Sequence, residues 1–114
     1  MKINTGFNPK YSQELLPLEQ ISKIEGRFLL EFGAPWCGHC QAAFPAVQEV
    51  LNENPKMPHI KIYDGKGKKL GRTFTVKLWP TFILMQEGKE IARIVRPEHA
   101  DELRKLIHIK NIPE

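Results

Sequence analysis

The order and spacing of apolar residues predict an α/β fold in which helices flank a central mixed β-sheet. Three observations carry that prediction. The run RFLLEFG at residues 27–33 is apolar and bounded by glycine, too brief for a core helix but suited to a buried strand. Residues 37–54 repeat apolar side chains at Ala43, Val47, Val50 and Leu51, the spacing of one helix face. TFILMQ at 81–86 and EIARIVR at 90–96 read as two strands joined by Glu87-Gly88-Lys89. A helical crossover suits parallel strands and a short connection suits antiparallel ones, so the sheet is mixed.

Along the chain, residues 1–17 resist assignment because Gly6, Pro9 and Pro17 break any pattern. Leu18, Ile21 and Ile24 suggest a short helix over 18–24, ended by Gly26. The strand 27–33 follows. The helix 37–54 contains Pro45, which lacks an N–H and clashes with the preceding turn, so it should kink there. HIKIY at 59–63 is a second strand, and 70–76 suits a helix with Leu70 and Phe74 on one side. After the hairpin, Pro97 starts a last helix whose Ala100, Leu103, Leu106 and Ile107 would pack on the sheet, with Glu98 near its positive end.

A chain of 114 residues with 41% hydrophobic content suits one compact domain over 1–114, and no repeat or linker divides it. At this size the core needs neither a disulfide nor a metal to be viable. The net charge of +4 would suit an acidic partner, but the densest basic stretch, Lys66, Lys68, Lys69 and Arg72, is interleaved with glycines and reads as a solvated loop. No nucleic acid is expected. No basic start followed by an apolar run marks a secretory signal, and no stretch approaches the length of a membrane span, so a cytoplasmic monomer away from membranes is the expectation.

The chemistry gathers in Ala34-Pro35-Trp36-Cys37-Gly38-His39-Cys40, where a strand ends and a helix begins. Cysteines at i and i+3 lie on one face, the first beside unpaired N–H groups and the positive end of the helix. That setting favours a thiolate, the form that attacks disulfides. A structural disulfide is a poor alternative because so small a loop constrains the unfolded chain little. A zinc site wants about four ligands, and Cys37, His39 and Cys40 supply at most three. Haem attachment needs His after the second cysteine, where Gln41 stands. No cofactor or metal is expected. Glu31 interrupts the apolar run; buried there, it could exchange a proton with Cys40, whereas on an exposed strand it would only be solvated.

FLLEFGAPWCGHC, followed by WPT and an EGKE hairpin, resembles the thioredoxin family over residues 27–108, and the Trp-Cys-Gly-His-Cys spelling is that of protein disulfide isomerase domains. The resemblance implies a thioredoxin-like fold and a thiol–disulfide oxidoreductase that reduces or isomerises protein disulfides through Cys37 and the more shielded Cys40. A thioredoxin-fold binding module with incidental cysteines is the alternative. The resemblance makes Glu31 the acid serving Cys40 and Lys61 its charge partner. It makes Pro80 a cis proline facing the cysteines, and it assigns Trp36, Trp79, Pro80 and Thr81 to client binding. Gly38 and His39 become the redox-tuning pair, His39 standing where bacterial thioredoxins carry Pro. Clients are disulfide-containing proteins, and a thioredoxin reductase or another thiol reductant recharges the site. Three positions depart from the family: Gly33 stands where an aromatic is usual, Trp79 replaces Ile or Tyr, and Arg96 falls near a usual glycine.

Overall fold

The computed structural model describes residues 5–11, 18–66 and 69–109. The elements are α1 (Leu18–Ser22), β1 (Arg27–Gly33), α2 (Gly38–Glu53), β2 (His59–Tyr63), α3 (Lys69–Thr73), β3 (Thr81–Gln86), β4 (Lys89–Val95) and α4 (Ala100–Ile107). The four strands form one sheet in the order β2-β1-β3-β4. β1 pairs parallel with β2 and antiparallel with β3, and β4 closes the sheet antiparallel to β3. The expected mixed sheet is therefore present. Lys68, part of the basic stretch, and the unassigned positions 1–4 and 12–17 lie outside the described residues.

Strand alternation divides the core into two layers. Phe28, Leu30 and Phe32 of β1 join Ile60, Ile62, Ile83 and Met85 under Ile21 and Leu70, on the α1 and α3 side. Leu29, Phe82 and Leu84 face the other way, against Ala43, Val47, Val50 and Leu51 of α2 and Leu103, Leu106 and Ile107 of α4. The same alternation puts Glu31 and Gly33 on the α2 side. In β2 it puts His59, Lys61 and Tyr63 there too, because Ile60 and Ile62 take the opposite face. The buried polar residues of the two central strands thus share a layer with the start of α2.

Several boundaries differ from the sequence reading, each for a local reason. α1 stops at Ser22, two residues short of expectation, and α3 at Thr73, three residues short; Thr75 enters the left-handed region at φ 57° and closes the α3 turn through Val76 N–H to Gly71 O at 2.7 Å. The hairpin connection is Glu87-Gly88 alone, with Gln86 opposite Lys89. Both turn residues have positive φ, 51° and 75°, the requirement of a type I′ turn that matches strand twist. α4 begins at Ala100 rather than at Pro97, because the Glu102 carboxylate reaches back to the N–H groups of Glu98 and His99 and fixes His99 as the cap. Among the described residues no helix is long and apolar enough to cross a membrane.

Candidate active site

β1 ends at Gly33, and Ala34 N-terminal to the turn is fully buried, so the chain enters α2 through a fixed corner. Cys37 is the N-cap of α2, with extended backbone at φ −79°, ψ 122°. Its Sγ accepts the Cys40 N–H at 3.4 Å, the role an N-cap side chain plays toward orphan donors. Gln41 braces the corner by donating from Nε2 to Pro35 O at 2.9 Å. Both cysteines are free thiols. Cys40 is 6% exposed against 8% for Cys37, so Cys40 is the more shielded, but cover alone hardly separates them. Environment does. Burial pushes the Cys40 thiol up to about 11, partly offset by hydrogen bonds from its surroundings.

In front of the pair lies exposed aromatic surface. Trp36 is 65% exposed, and its ring meets Trp79 edge-on at 5.3 Å. Trp79 and Tyr63 pack against the cluster of Ala34, Cys37 and Cys40. The two indoles are oriented by Trp36 Nε1 donating to the Tyr63 hydroxyl at 3.2 Å and Trp79 Nε1 donating to Asp64 Oδ2 at 2.9 Å. The Trp79-Pro80 bond is cis, as the resemblance implied. Thr81 is buried and donates to Leu78 O at 2.6 Å, shaping the turn before β3. The Trp79 carbonyl accepts Arg96 Nε at 2.7 Å, leaving one lone pair. Arg96, near a usual glycine of the family, adopts φ 51°. Gly38 and His39 are exposed on the first turn of α2.

Behind the pair is a cavity of about 260 Å³ lined by Tyr11, Glu31, Cys40, Phe44 and Lys61, among others. Glu31 is 3% exposed, so the buried alternative holds. Its partner is not the one expected. Among the described residues Glu31 Oε1 pairs with His59 Nε2 at 2.8 Å. Lys61, though opposite Glu31 in the strand register, sends Nζ to Pro9 O at 3.3 Å and lies 4.2 Å from the centre of the Tyr11 ring. The pairing of Lys61 with Glu31 is thus replaced by a His59 pair, because the cation is drawn to a carbonyl and an aromatic face.

His59 itself is fixed from its far side. The Asn8 N–H donates to Nδ1 at 3.0 Å, and Asn8 Nδ2 donates to His59 O at 3.1 Å. A ring nitrogen that accepts carries no proton, so the proton sits on Nε2 and points at the carboxylate. The result is a neutral imidazole donating to a buried carboxylate, with no net charge added.

Three contributors escaped the sequence reading: His59, Asn8 and Tyr11. His59 was accessible in principle, because two-residue alternation in HIKIY puts it on the face of Lys61. Asn8 and Tyr11 carried no signal, since they belong to a segment without periodicity whose position depends on contacts 51 residues away. Gly33, the departure from the family's aromatic, is also explained: a Cβ there would stand 2.6 Å from Cys40 Sγ and 3.1 Å from the Tyr11 hydroxyl. The space is already taken by those two groups.

Comparison with known proteins agrees with this arrangement. The thioredoxin family model matches residues 18–109. Thioredoxin 2 from Pseudomonas aeruginosa, solved in its reduced form, is 45% identical, with a TM-score of 0.77 over 87% of this chain and 92% of that one. A Chlamydia trachomatis thioredoxin is 33% identical over 75% of this chain and 84% of its own length. Thioredoxin C-3 of Corynebacterium nephridii is 34% identical over 72% of this chain, which spans 64% of that relative. With paired thiols at the start of α2, a cis proline before β3 and a mixed four-stranded sheet between them, the chain belongs to the thioredoxin family of thiol–disulfide oxidoreductases.

Proposed function

We propose that this single domain reduces or isomerises disulfides of client proteins, with Cys37 as the attacking thiol and Cys40 as the resolving one. Cys37 attacks as a thiolate, one client sulfur leaves, and a mixed disulfide joins Cys37 to the other. Cys40 then gives its proton to Glu31 and attacks Cys37 Sγ. The Cys37–client bond breaks as the Cys37–Cys40 bond forms, and the client thiolate leaves and takes a proton from solvent. Two electrons pass from the cysteine pair to the client. A thioredoxin reductase or another thiol reductant returns them.

The observation that carries this reading is the asymmetry of the pair. Cys37 caps the helix with its sulfur against the Cys40 N–H, whereas Cys40 lines the rear cavity and is held protonated well above neutral pH. Trp36 and Trp79 form the client surface, shaped from beneath by the buried Pro80 and Thr81, and Gly38 and His39 tune the potential. Lys61 acts by holding the ring of Tyr11 and the carbonyl of Pro9 over the cavity, not by neutralising Glu31. A pure binding scaffold has no use for a buried carboxylate that lines one cavity with a protonated thiol. Insulin reduction with dithiothreitol, comparing wild type with Cys37→Ser, tests the proposal: the variant should fall to the uncatalysed rate. Equal activity of the two proteins overturns it.

A further inference from the structure

Residues 5–11 run along the rear of the site and are tied down at several points. Thr5 bridges Pro58, Gly6 N–H reaches Met57 O at 2.7 Å, Asn8 grips His59 twice, and Lys61 holds Pro9 O. These ties deliver Tyr11 to the cavity, where its hydroxyl and the Cys40 sulfur converge on the same space above Gly33. The ring is fixed from two directions, by Lys61 Nζ at 4.2 Å and by Tyr63 edge-on at 6.3 Å. Gly33 leaves the room in which phenol and thiol meet, since a Cβ there would overlap the Cys40 sulfur and crowd the Tyr11 hydroxyl.

We infer that the Tyr11 hydroxyl is a catalytic hydrogen-bond donor to Cys40, stabilising the thiolate that resolves the mixed disulfide. The inference rests on the proposed division of labour between Cys37 and Cys40. The direction of donation follows from chemistry. Burial, and next the Glu31 carboxylate, hold the Tyr11 phenol protonated far above the usual range, so it donates. At Cys40, desolvation disfavours the thiolate most, and the Tyr11 bond acts against it. In the resolving step Tyr11 neither gains nor loses electrons; it donates to the sulfur as Cys40 passes its proton to Glu31 and bonds to Cys37 Sγ.

Tyr11→Phe removes the hydroxyl and keeps the ring that Lys61 and Tyr63 pack against. A hydrogen bond to a charged sulfur corresponds to about one to two pH units in its titration. The fraction of thiolate falls by that factor, while the remaining thiolate becomes more nucleophilic, with a Brønsted slope of about 0.4–0.5. The net expectation is resolution slowed about three- to fifteen-fold. Rapid acid quench with a disulfide peptide, read by mass spectrometry, separates formation of the mixed disulfide from its resolution. In a Cys37→Ser background, alkylation of Cys40 at pH 8 should slow by a similar factor on Tyr11→Phe substitution. Unchanged resolution together with unchanged Cys40 alkylation overturns the inference, and so does equal slowing of formation and resolution, the signature of a merely structural residue. If wild type forms no mixed disulfide through Cys37, the functional reading fails instead, and the alkylation comparison still tests the Tyr11 contact alone.

Discussion

On its Cys37 side the pair faces loops that carry exposed aromatic surface, whereas on its Cys40 side it faces a cavity into which Tyr11, Glu31 and Lys61 are brought among apolar side chains. Trp36 stands 65% exposed in front; Glu31 and Lys61 are 3% exposed behind, and His59 1%. The sulfurs themselves differ little in cover. What surrounds them differs, one at a helix cap beside the exposed Trp36, the other in a cavity lined by Tyr11, Glu31 and Lys61. Under the proposed function, such a division would let client recognition vary in the loops without disturbing proton handling in the sheet.

The sharpest way to break that comparison is to delete one side chain from each region. His59→Ala removes the donor to a buried carboxylate and should destabilise the fold by about 3 kcal/mol in urea unfolding. Trp36→Ala should change stability by only about 0.5 kcal/mol or less, yet raise the apparent KM for a protein client several-fold. Glu31→Gln offers His59 an amide oxygen in place of the carboxylate, so it should preserve most of the stability while slowing resolution more than formation. Comparable stability losses at Trp36 and His59 would erase the distinction between a binding face and a buried network.

A smaller effect should appear with pH. Cys40 has a folded-state value near 11 against an ordinary value of 9.0, so the folded protein holds this proton more tightly than the unfolded chain. The associated stability is fully present below about pH 9 and is lost as the pH rises towards 11. Urea midpoints of the reduced protein should fall over that window more steeply than those of Cys40→Ala. Parallel slopes would mean that the rear cavity does not govern the resolving thiol.

The smallest expected effect lies between the two regions, at His39. Its side chain is exposed on the first turn of α2 and can act on Cys37 only through charge or solvent. Favouring the thiolate stabilises the reduced form and raises the reduction potential, so His39→Pro should make the protein more reducing. One pH unit on one thiolate corresponds to roughly 30 mV for a two-electron couple, and a shift of a few tens of millivolts is expected. Equilibration with a glutathione buffer, followed by thiol trapping, measures it. An unchanged or higher potential removes His39 from the tuning pair and leaves the isomerase-like spelling without a physical consequence here.

By itself the sequence determined what short-range patterns can encode. Two-residue alternation set the faces of β1, helical spacing set the buried face of α2, and the spacing of Cys37 and Cys40 at a strand-to-helix junction set the chemistry. Glu31 was legible as a buried acid because it interrupts an apolar strand. Its partner was not legible. His59 and Lys61 lie on the same face of β2, and side-chain reach across parallel strands, together with the grip of Asn8 on the imidazole, decided between them. Tyr11 was hidden for the same reason, since a segment with no period of its own takes its place only from the surfaces it meets. Gly33 looked like the loss of a family aromatic; only the folded chain reveals that the space it leaves is where the Tyr11 hydroxyl and the Cys40 sulfur come together.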